Sequence, residues 1–125
     1  MTRTRSSAKK AGSKFEKDVA DYLAKHVDDR IERRTKNGSK DRGDIAGLRH
    51  MGERIVIECK DHGGRLEAGP WVNETESERG NDDATSAIVI AKRRGNRDPA
   101  DQIVLLTLRD LVALVTGERP QQEGS

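Results

Sequence analysis

The strongest constraint on the fold is a short apolar run, Ile55-Val56-Ile57, that leads directly into Glu58-Cys59-Lys60. A run that is apolar on both faces is typical of a strand in the middle of a sheet, because such a strand is covered on both sides. Side chains alternate along a strand, so Glu58 and Lys60 share one face while Cys59 points into the core from the other. The run therefore predicts a central strand that carries an acid and a base at one end.

A second strand is expected to precede the central one. Residues 42–48 and 53–60 have the composition of two strands, and the four residues between them include Gly52 in the position of a turn. We therefore predict an antiparallel hairpin.

The register of this hairpin would bring two acids together. If it turns symmetrically about Met51, Asp44 lies across from Glu58 and Arg42 lies across from Lys60. Facing carboxylates repel each other unless a cation lies between them, and Mg²⁺ prefers carboxylate oxygens. The pattern predicts a magnesium site, with Lys60 holding the attacking water or stabilising a phosphate. In the alternative interpretation, Lys60 only forms an ion pair with one of the acids.

The N-terminal part of the chain predicts a helix over residues 7–27. Apolar side chains recur there at spacings of three and four, and Glu16 falls on the same side as they do. A carboxylate on the apolar face of a helix needs a buried counter-charge. We therefore expect Glu16 to join Asp44 and Glu58 as a further ligand or supporting acid.

The remaining elements complete an α/β fold with a central mixed β-sheet flanked by helices. Apolar, β-branched runs predict buried strands, Pro70 favours a helix start, and Asn37-Gly38 is typical of a loop. The predicted elements are a short strand at 30–34, a loop at 35–41, a helix at 70–79, strands at 86–91 and 102–107, and a helix at 108–115.

This pattern predicts one domain at 11–117. It is preceded by a basic, partly flexible arm at 1–10 and followed by a disordered tail at 118–125, where nothing is available for burial. The chain has only three aromatic residues, so a homodimer is expected to complete a modest core.

The composition of the chain argues against disulfides, cysteine-based zinc sites and membrane segments. Cys59 is the only cysteine, which excludes an intrachain disulfide and a cysteine-based zinc cluster. No apolar run reaches the roughly 18 residues of a membrane span, and no signal peptide is evident, so a cytoplasmic protein without membrane contact is expected.

The net charge is only +2, but the basic residues are clustered. Clusters of this kind are typical of a protein that binds a polyanion such as DNA, although each one alone also fits ordinary solvated surface. The predicted DNA-binding residues are Arg33, Arg34, Lys36, Lys40, Arg42, Lys92, Arg93 and Arg94.

Three segments together resemble a known family. Gly43-Asp44, thirteen further residues and then Glu58-Cys59-Lys60, preceded by Lys14-Phe15-Glu16 on a helix, resemble the PD-(D/E)XK nuclease superfamily. Within that superfamily, the small size and the Phe-Glu helix look most like the archaeal-type Holliday-junction resolvases. One departure is that Gly43 stands where the proline of the motif is expected.

The resemblance implies a restriction-endonuclease-like core and a homodimer that hydrolyses phosphodiesters with Mg²⁺, which Mn²⁺ could replace. It implies that Asp44, Glu58 and the Cys59 carbonyl are metal ligands, that Lys60 is catalytic and that Glu16 is the helix acid. It also makes Ser39 a positional match for a loop serine that contacts DNA.

Three functions remain open from the sequence. The leading hypothesis is a structure-selective endonuclease, of the Holliday-junction resolvase type, that recognises branched DNA by backbone shape and charge. The alternatives are a general or restriction-like nuclease of the same fold, and a non-catalytic architectural DNA-binding protein.

Overall fold

The structure is a computed structural model that describes residues 3–34 and 40–121. Its helices and strands follow one another in an order close to the expected one. They are α1 (Arg5–His26), β1 (Glu32–Arg33), β2 (Ile45–Ala46), β3 (Arg49–His50), β4 (Glu53–Lys60), α2 (Ala68–Asp82), β5 (Ser86–Ala91), β6 (Ile103–Leu105) and α3 (Leu108–Thr116), with a 3₁₀ turn at Pro99–Asp101.

Strand β4 is the centre of a mixed sheet. The strands are ordered β1-β2-β4-β5-β6, and β3 pairs with the start of β4. The β4–β5 pair is parallel and the other pairs are antiparallel. Val56 and Ile57 are fully buried, as expected for a strand covered on both faces. The prediction of an α/β fold with a mixed sheet and flanking helices is confirmed at this level.

Helix α1 covers one face of the sheet. The Thr4 hydroxyl caps its first turn by accepting a hydrogen bond from the Ser7 amide. Phe15 and Val19 then pack with Ile57 and Cys59 of β4, so the predicted core position of Cys59 is confirmed.

Helix α2 packs against the other face of the sheet. Its buried residues, Trp71, Thr75, Glu78 and Asp82, follow a spacing of four, three and four, which places them on one side of the helix. Trp71 packs against Val89 of β5. The buried side of α2 is therefore apolar at its start and acidic towards its end.

The hairpin before β4 differs from the prediction in extent. The expected strand at 42–48 is reduced to β2 and β3, which meet β4 in registers that differ by one residue. Between them Gly47 adopts a positive φ of 99°, so one extra residue on this side forms a bulge. The predicted pairing still holds beside the acids, where Ile45 faces Ile57.

The structure describes part of each predicted terminal segment. The basic arm at 1–10 is helical from Arg5 onwards, and Arg3 donates a 3.0 Å hydrogen bond to the Asp61 carboxylate. In the segment expected to be a disordered tail, Arg119 forms a 2.6 Å ion pair with the buried Asp110. No helix in the described ranges is long and apolar enough to cross a membrane.

Candidate functional site

A cleft of about 910 Å³ opens where β4 ends. Helix α1 forms one wall, and the loops that follow β4 and β5 form the rim. Its acidic lining residues are Glu16, Asp41, Asp44, Glu58, Asp61 and Glu74, and its basic ones are Arg3, Lys60, Arg65, Lys92, Arg93 and Arg94. The cleft therefore combines carboxylates that could hold a cation with cations that could hold an anion.

Four acids form a row across the end of β4. Asp44 and Glu58 are 6% and 5% exposed, so both are buried. The Asp44 carboxylate accepts a 2.9 Å hydrogen bond from the Cys59 amide, which fixes it beside the central strand. Glu16 interacts with Asp44, Asp44 with Glu58, and Glu58 with Glu78. The three predicted acids therefore do come together, and Glu78 extends the row from α2.

Glu78 is the acid that sequence reasoning missed. It is 2% exposed, and neither carboxylate oxygen receives a hydrogen bond from any described residue. A buried carboxylate without a donor is costly, so a proton or a cation is needed there. Its spacing of seven from Trp71 was the available signal, because it places Glu78 on the packed face of α2 just as Glu16 lies on that of α1.

The tightest acidic group only partly matches the predicted ligands. Within the described ranges, one group of acids has oxygens that all lie within 4.8 Å of one another, and it consists of Asp41, Glu58, Glu74 and Glu78. Glu58 belongs both to this group and to the row described above. An all-oxygen donor set that includes an unsatisfied carboxylate suits Mg²⁺ or Mn²⁺ better than zinc. The residues present therefore fit the expected class of metal.

Lys60 faces α2 and not the hairpin. Its amine lies 2.8 Å from Glu74, and its side chain is 16% exposed. Burial acts to lower the pKa of Lys60, but the hydrogen bond to Glu74 and the charge of Glu58 outweigh it and raise the pKa. The amine is therefore held as a cation next to Glu58. Arg42, which was expected to face Lys60, lines a different cavity, so that part of the prediction was wrong.

Glu16 has a cationic partner of its own. Arg33 lies 2.9 Å from its carboxylate. Burial and the nearby charge of Asp44 raise the pKa of Glu16, and the hydrogen bond from Arg33 acts in the opposite direction. Arg33, which was predicted to bind DNA, therefore compensates an acid of the site.

Protons are held tightly in this site when no cation is bound. Burial is the main cause that raises the pKa of Glu58 far above its usual range, and contacts with Asp44 and Glu78 add to it. Burial also raises the pKa of Glu78 to about 7. A cation that enters the row would have to displace protons, so metal binding should strengthen with rising pH.

Glu78→Gln should stabilise the metal-free protein in alkaline solution. The pKa of Glu78 rises from 4.5 to about 7 on folding. An acid whose pKa is raised by folding contributes its full stabilisation at pH values below the pKa of the unfolded state. That stabilisation is lost as the pH rises through the pKa of the folded state. Because glutamine mimics the protonated acid, the variant should gain about 1–3 kcal/mol at pH 8 and almost nothing at about pH 4, below the unfolded pKa.

The measurement is Tm against pH in EDTA, with the exposed Glu53→Gln as the matched control. If the curves of Tm against pH for wild type and Glu78→Gln run parallel, ionisation of Glu78 does not destabilise the folded protein.

The predicted DNA-binding residues fall into separate places. Lys92, Arg93 and Arg94 line the cleft, whereas Lys40 is exposed outside it. Arg34 and Arg42 line a second cavity. Lys36 and Ser39 lie outside the described residues.

Cys59 helps to position Asp44, and its thiol is not a reactive group. Burial raises the pKa of its thiol, and the nearby acids raise it further, so the thiol stays protonated. The backbone amide of Cys59 holds Asp44, and the residue lines the cleft. The expected role of its carbonyl as a metal ligand remains a prediction.

Comparisons with protein-family models, with curated proteins and with solved structures found no match to this chain.

Proposed function

We propose that this protein is a magnesium-dependent DNA endonuclease with a restriction-endonuclease-like core. The observation that carries the proposal is the buried pair Asp44 and Glu58 beside Lys60, which line a cleft with a basic rim. The mixed sheet with helices on both faces is compatible with the general α/β class to which that core belongs. Glu78 is hard to explain by stability alone, because a buried carboxylate whose oxygens receive no hydrogen bond from the described residues costs free energy until a cation or proton arrives.

Each residue of the row has a distinct task in this proposal. A bound Mg²⁺ would neutralise phosphate charge and acidify a water molecule. Asp44, fixed by the Cys59 amide, and Glu58, fixed on β4, would hold the ion from two neighbouring strands. Glu78 would approach from α2. Mn²⁺ should substitute, because it also accepts carboxylate oxygens.

Lys60 would act directly on the phosphate. Its amine is held as a cation by Glu74 on the same side of the sheet as Glu58. A preorganised cation of this kind stabilises negative charge that grows on the phosphate during hydrolysis. Glu74 therefore positions Lys60, and Lys60 would be the catalytic residue.

The rim accounts for DNA as the substrate class. Lys92, Arg93 and Arg94 follow β5 directly and line the cleft with Arg3 and Arg65. Contacts from such residues reach backbone phosphates and carry no base sequence. We therefore propose recognition by shape and charge, with a four-way junction as the preferred DNA.

A homodimer would supply the two active sites that a junction requires. Helix α3 exposes an apolar stripe with spacings of three, one and three, so its members lie on one side of the helix. The stripe consists of Leu108, Leu111, Val112 and Val115, which are 76%, 43%, 39% and 66% exposed. A second copy that packs against this stripe would cover it, and light scattering should then give twice the 13.9 kDa of one chain.

The test is cleavage of labelled four-way junction, flap, nicked, linear duplex and single-stranded DNA in magnesium, with wild type beside Asp44→Asn. We expect paired, symmetric cuts in the junction by wild type and none by the variant. Cutting of every substrate would keep the nuclease and remove the junction preference. Tight binding without any cutting would instead favour an architectural DNA-binding protein.

A further inference from the structure

A second cavity of about 260 Å³ lies beside the cleft, between the end of α2 and the hairpin. Arg34, Arg42, Arg49 and Arg54 line it, against one acid, Asp82. A cavity with four guanidinium groups and one carboxylate has the charge of an anion site.

The internal contacts of this cavity leave its arginines incompletely satisfied. Arg34 lies 3.1 Å from the Asp82 carboxylate, and Arg54 donates to the Asp82 carbonyl at 3.0 Å. The Arg34 Nε atom is buried and donates to no acceptor among the described residues. Arg42 makes no hydrogen bond within the same ranges. A buried donor without an acceptor is costly, and an oxyanion in the cavity would remove that cost.

The separation between this cavity and the row of acids follows from the helix and the strand that they share. Asp82 follows Glu78 by one helical turn, which is about 6 Å along α2. Arg54 precedes Glu58 by four residues, or about 13 Å along β4. The Asn81 side chain also donates a 2.8 Å hydrogen bond to the Asp41 carbonyl, which ties α2 to the segment between the two sites.

We propose that this cavity holds a backbone phosphate of the DNA strand that is cut in the cleft. Successive phosphates of one strand are about 3.4 Å apart along the duplex axis but about 7 Å apart through space, so 6–13 Å corresponds to roughly one or two nucleotides. The inference rests on the proposed nuclease function and adds to it a second phosphate site with Arg49 and Arg54 as new contacts. The site sets where along the strand the cut falls.

The first experiment measures binding and not cleavage. An oligonucleotide duplex is titrated in EDTA at several salt concentrations with wild type, Arg42→Gln, Arg49→Gln and Arg109→Gln. Arg109 is exposed on α3, outside both cavities, and controls for loss of one charge. Arg42→Gln and Arg49→Gln should weaken binding about tenfold and reduce the salt slope by about 0.9, the value for one lost phosphate contact. Equal effects of all three variants would overturn the inference.

The second experiment locates the phosphate. Single neutral methylphosphonate linkages are placed one to six nucleotides from the cut, and binding to each DNA is measured again. Wild type should lose about tenfold with a linkage one or two nucleotides away, and Arg42→Gln should lose less there than wild type does, because one contact to that phosphate is already removed. Additive losses would overturn the site.

The two experiments separate the proposals. If wild type cuts DNA but Arg42→Gln behaves like Arg109→Gln, the phosphate site fails and the nuclease stands. If binding shows the site but no DNA is cut with Mg²⁺ or Mn²⁺, the nuclease fails and the phosphate site stands.

Discussion

Glu58→Gln should lower the rate of DNA cleavage by about a thousandfold or more and leave the protein folded. Glu58 interacts with Asp44 and Glu78 and also belongs to the group with Asp41 and Glu74. Either arrangement of a metal ion would therefore lose a ligand. Glutamine has the shape of glutamate but not its charge, so the packing is retained. The charge that would hold the metal ion is lost, and with it the stabilisation of the reacting phosphate.

Stability provides the second readout of this variant. Because burial raises the pKa of Glu58 far above its usual range, the folded protein favours the uncharged form. The Tm of Glu58→Gln in EDTA should therefore equal or exceed that of wild type, whereas added Mg²⁺ should raise the Tm of wild type alone. Glu53→Gln, exposed on the same strand, is the control for both measurements. Cleavage within tenfold of wild type would remove Glu58 from the active site.

Gly43→Ala should cost about 2–4 kcal/mol of unfolding free energy, or a fall in Tm of roughly 10 °C. Gly43 has a positive φ of 93°, and a Cβ there would lie 2.9 Å from both the Ile57 carbonyl oxygen and Val56 Cγ1. Both neighbours belong to the buried central strand and cannot move away cheaply.

Gly52→Ala is the matched control, because Gly52 has a φ of 80° and open space around its Cβ position. It should show only the backbone penalty of about 1 kcal/mol. Equal losses of Tm in the two variants would show that the close approach to β4 carries no cost.

The same geometry explains why Gly43 stands where the nuclease motif that the sequence resembles has a proline. Proline fixes φ near −65°, so it cannot occupy a position with a φ of 93°. The residue before Asp44 must therefore be glycine in this chain. This glycine allows the backbone to pass close to β4, where the Asp44 amide donates a 2.8 Å hydrogen bond to the Ile57 carbonyl.

The central strand and its acid were predictable because they depend on local patterns. The apolar run at 55–57 identified β4, and symmetry about Met51 predicted the pairing of Ile45 with Ile57. The extra residue at Gly47 was not predictable, because a bulge leaves no change in hydrophobic periodicity. The predicted first strand of the hairpin, 42–48, was consequently too long.

The partners of charged residues were the least predictable feature of the site. Glu16 was correctly placed beside Asp44, but its partner Arg33 and the partner of Lys60, Glu74, are 17 and 14 residues away in sequence. Such pairs depend on how α1 and α2 are oriented against the sheet, which a periodicity does not encode. Glu78 could have been found by applying to α2 the wheel already applied to α1.

The parallel pairing of β4 with β5 allows the acids of the cleft and the loop at its rim to change independently of each other. Both strands end at the same edge of the sheet, where the Lys92 amide donates a 2.9 Å hydrogen bond to the Lys60 carbonyl. Residues 92–101 then leave the edge as a surface connection, and such connections tolerate insertions and substitutions. Changes in that loop alone could therefore alter what the cleft binds and leave the acids on β4 and α2 unchanged.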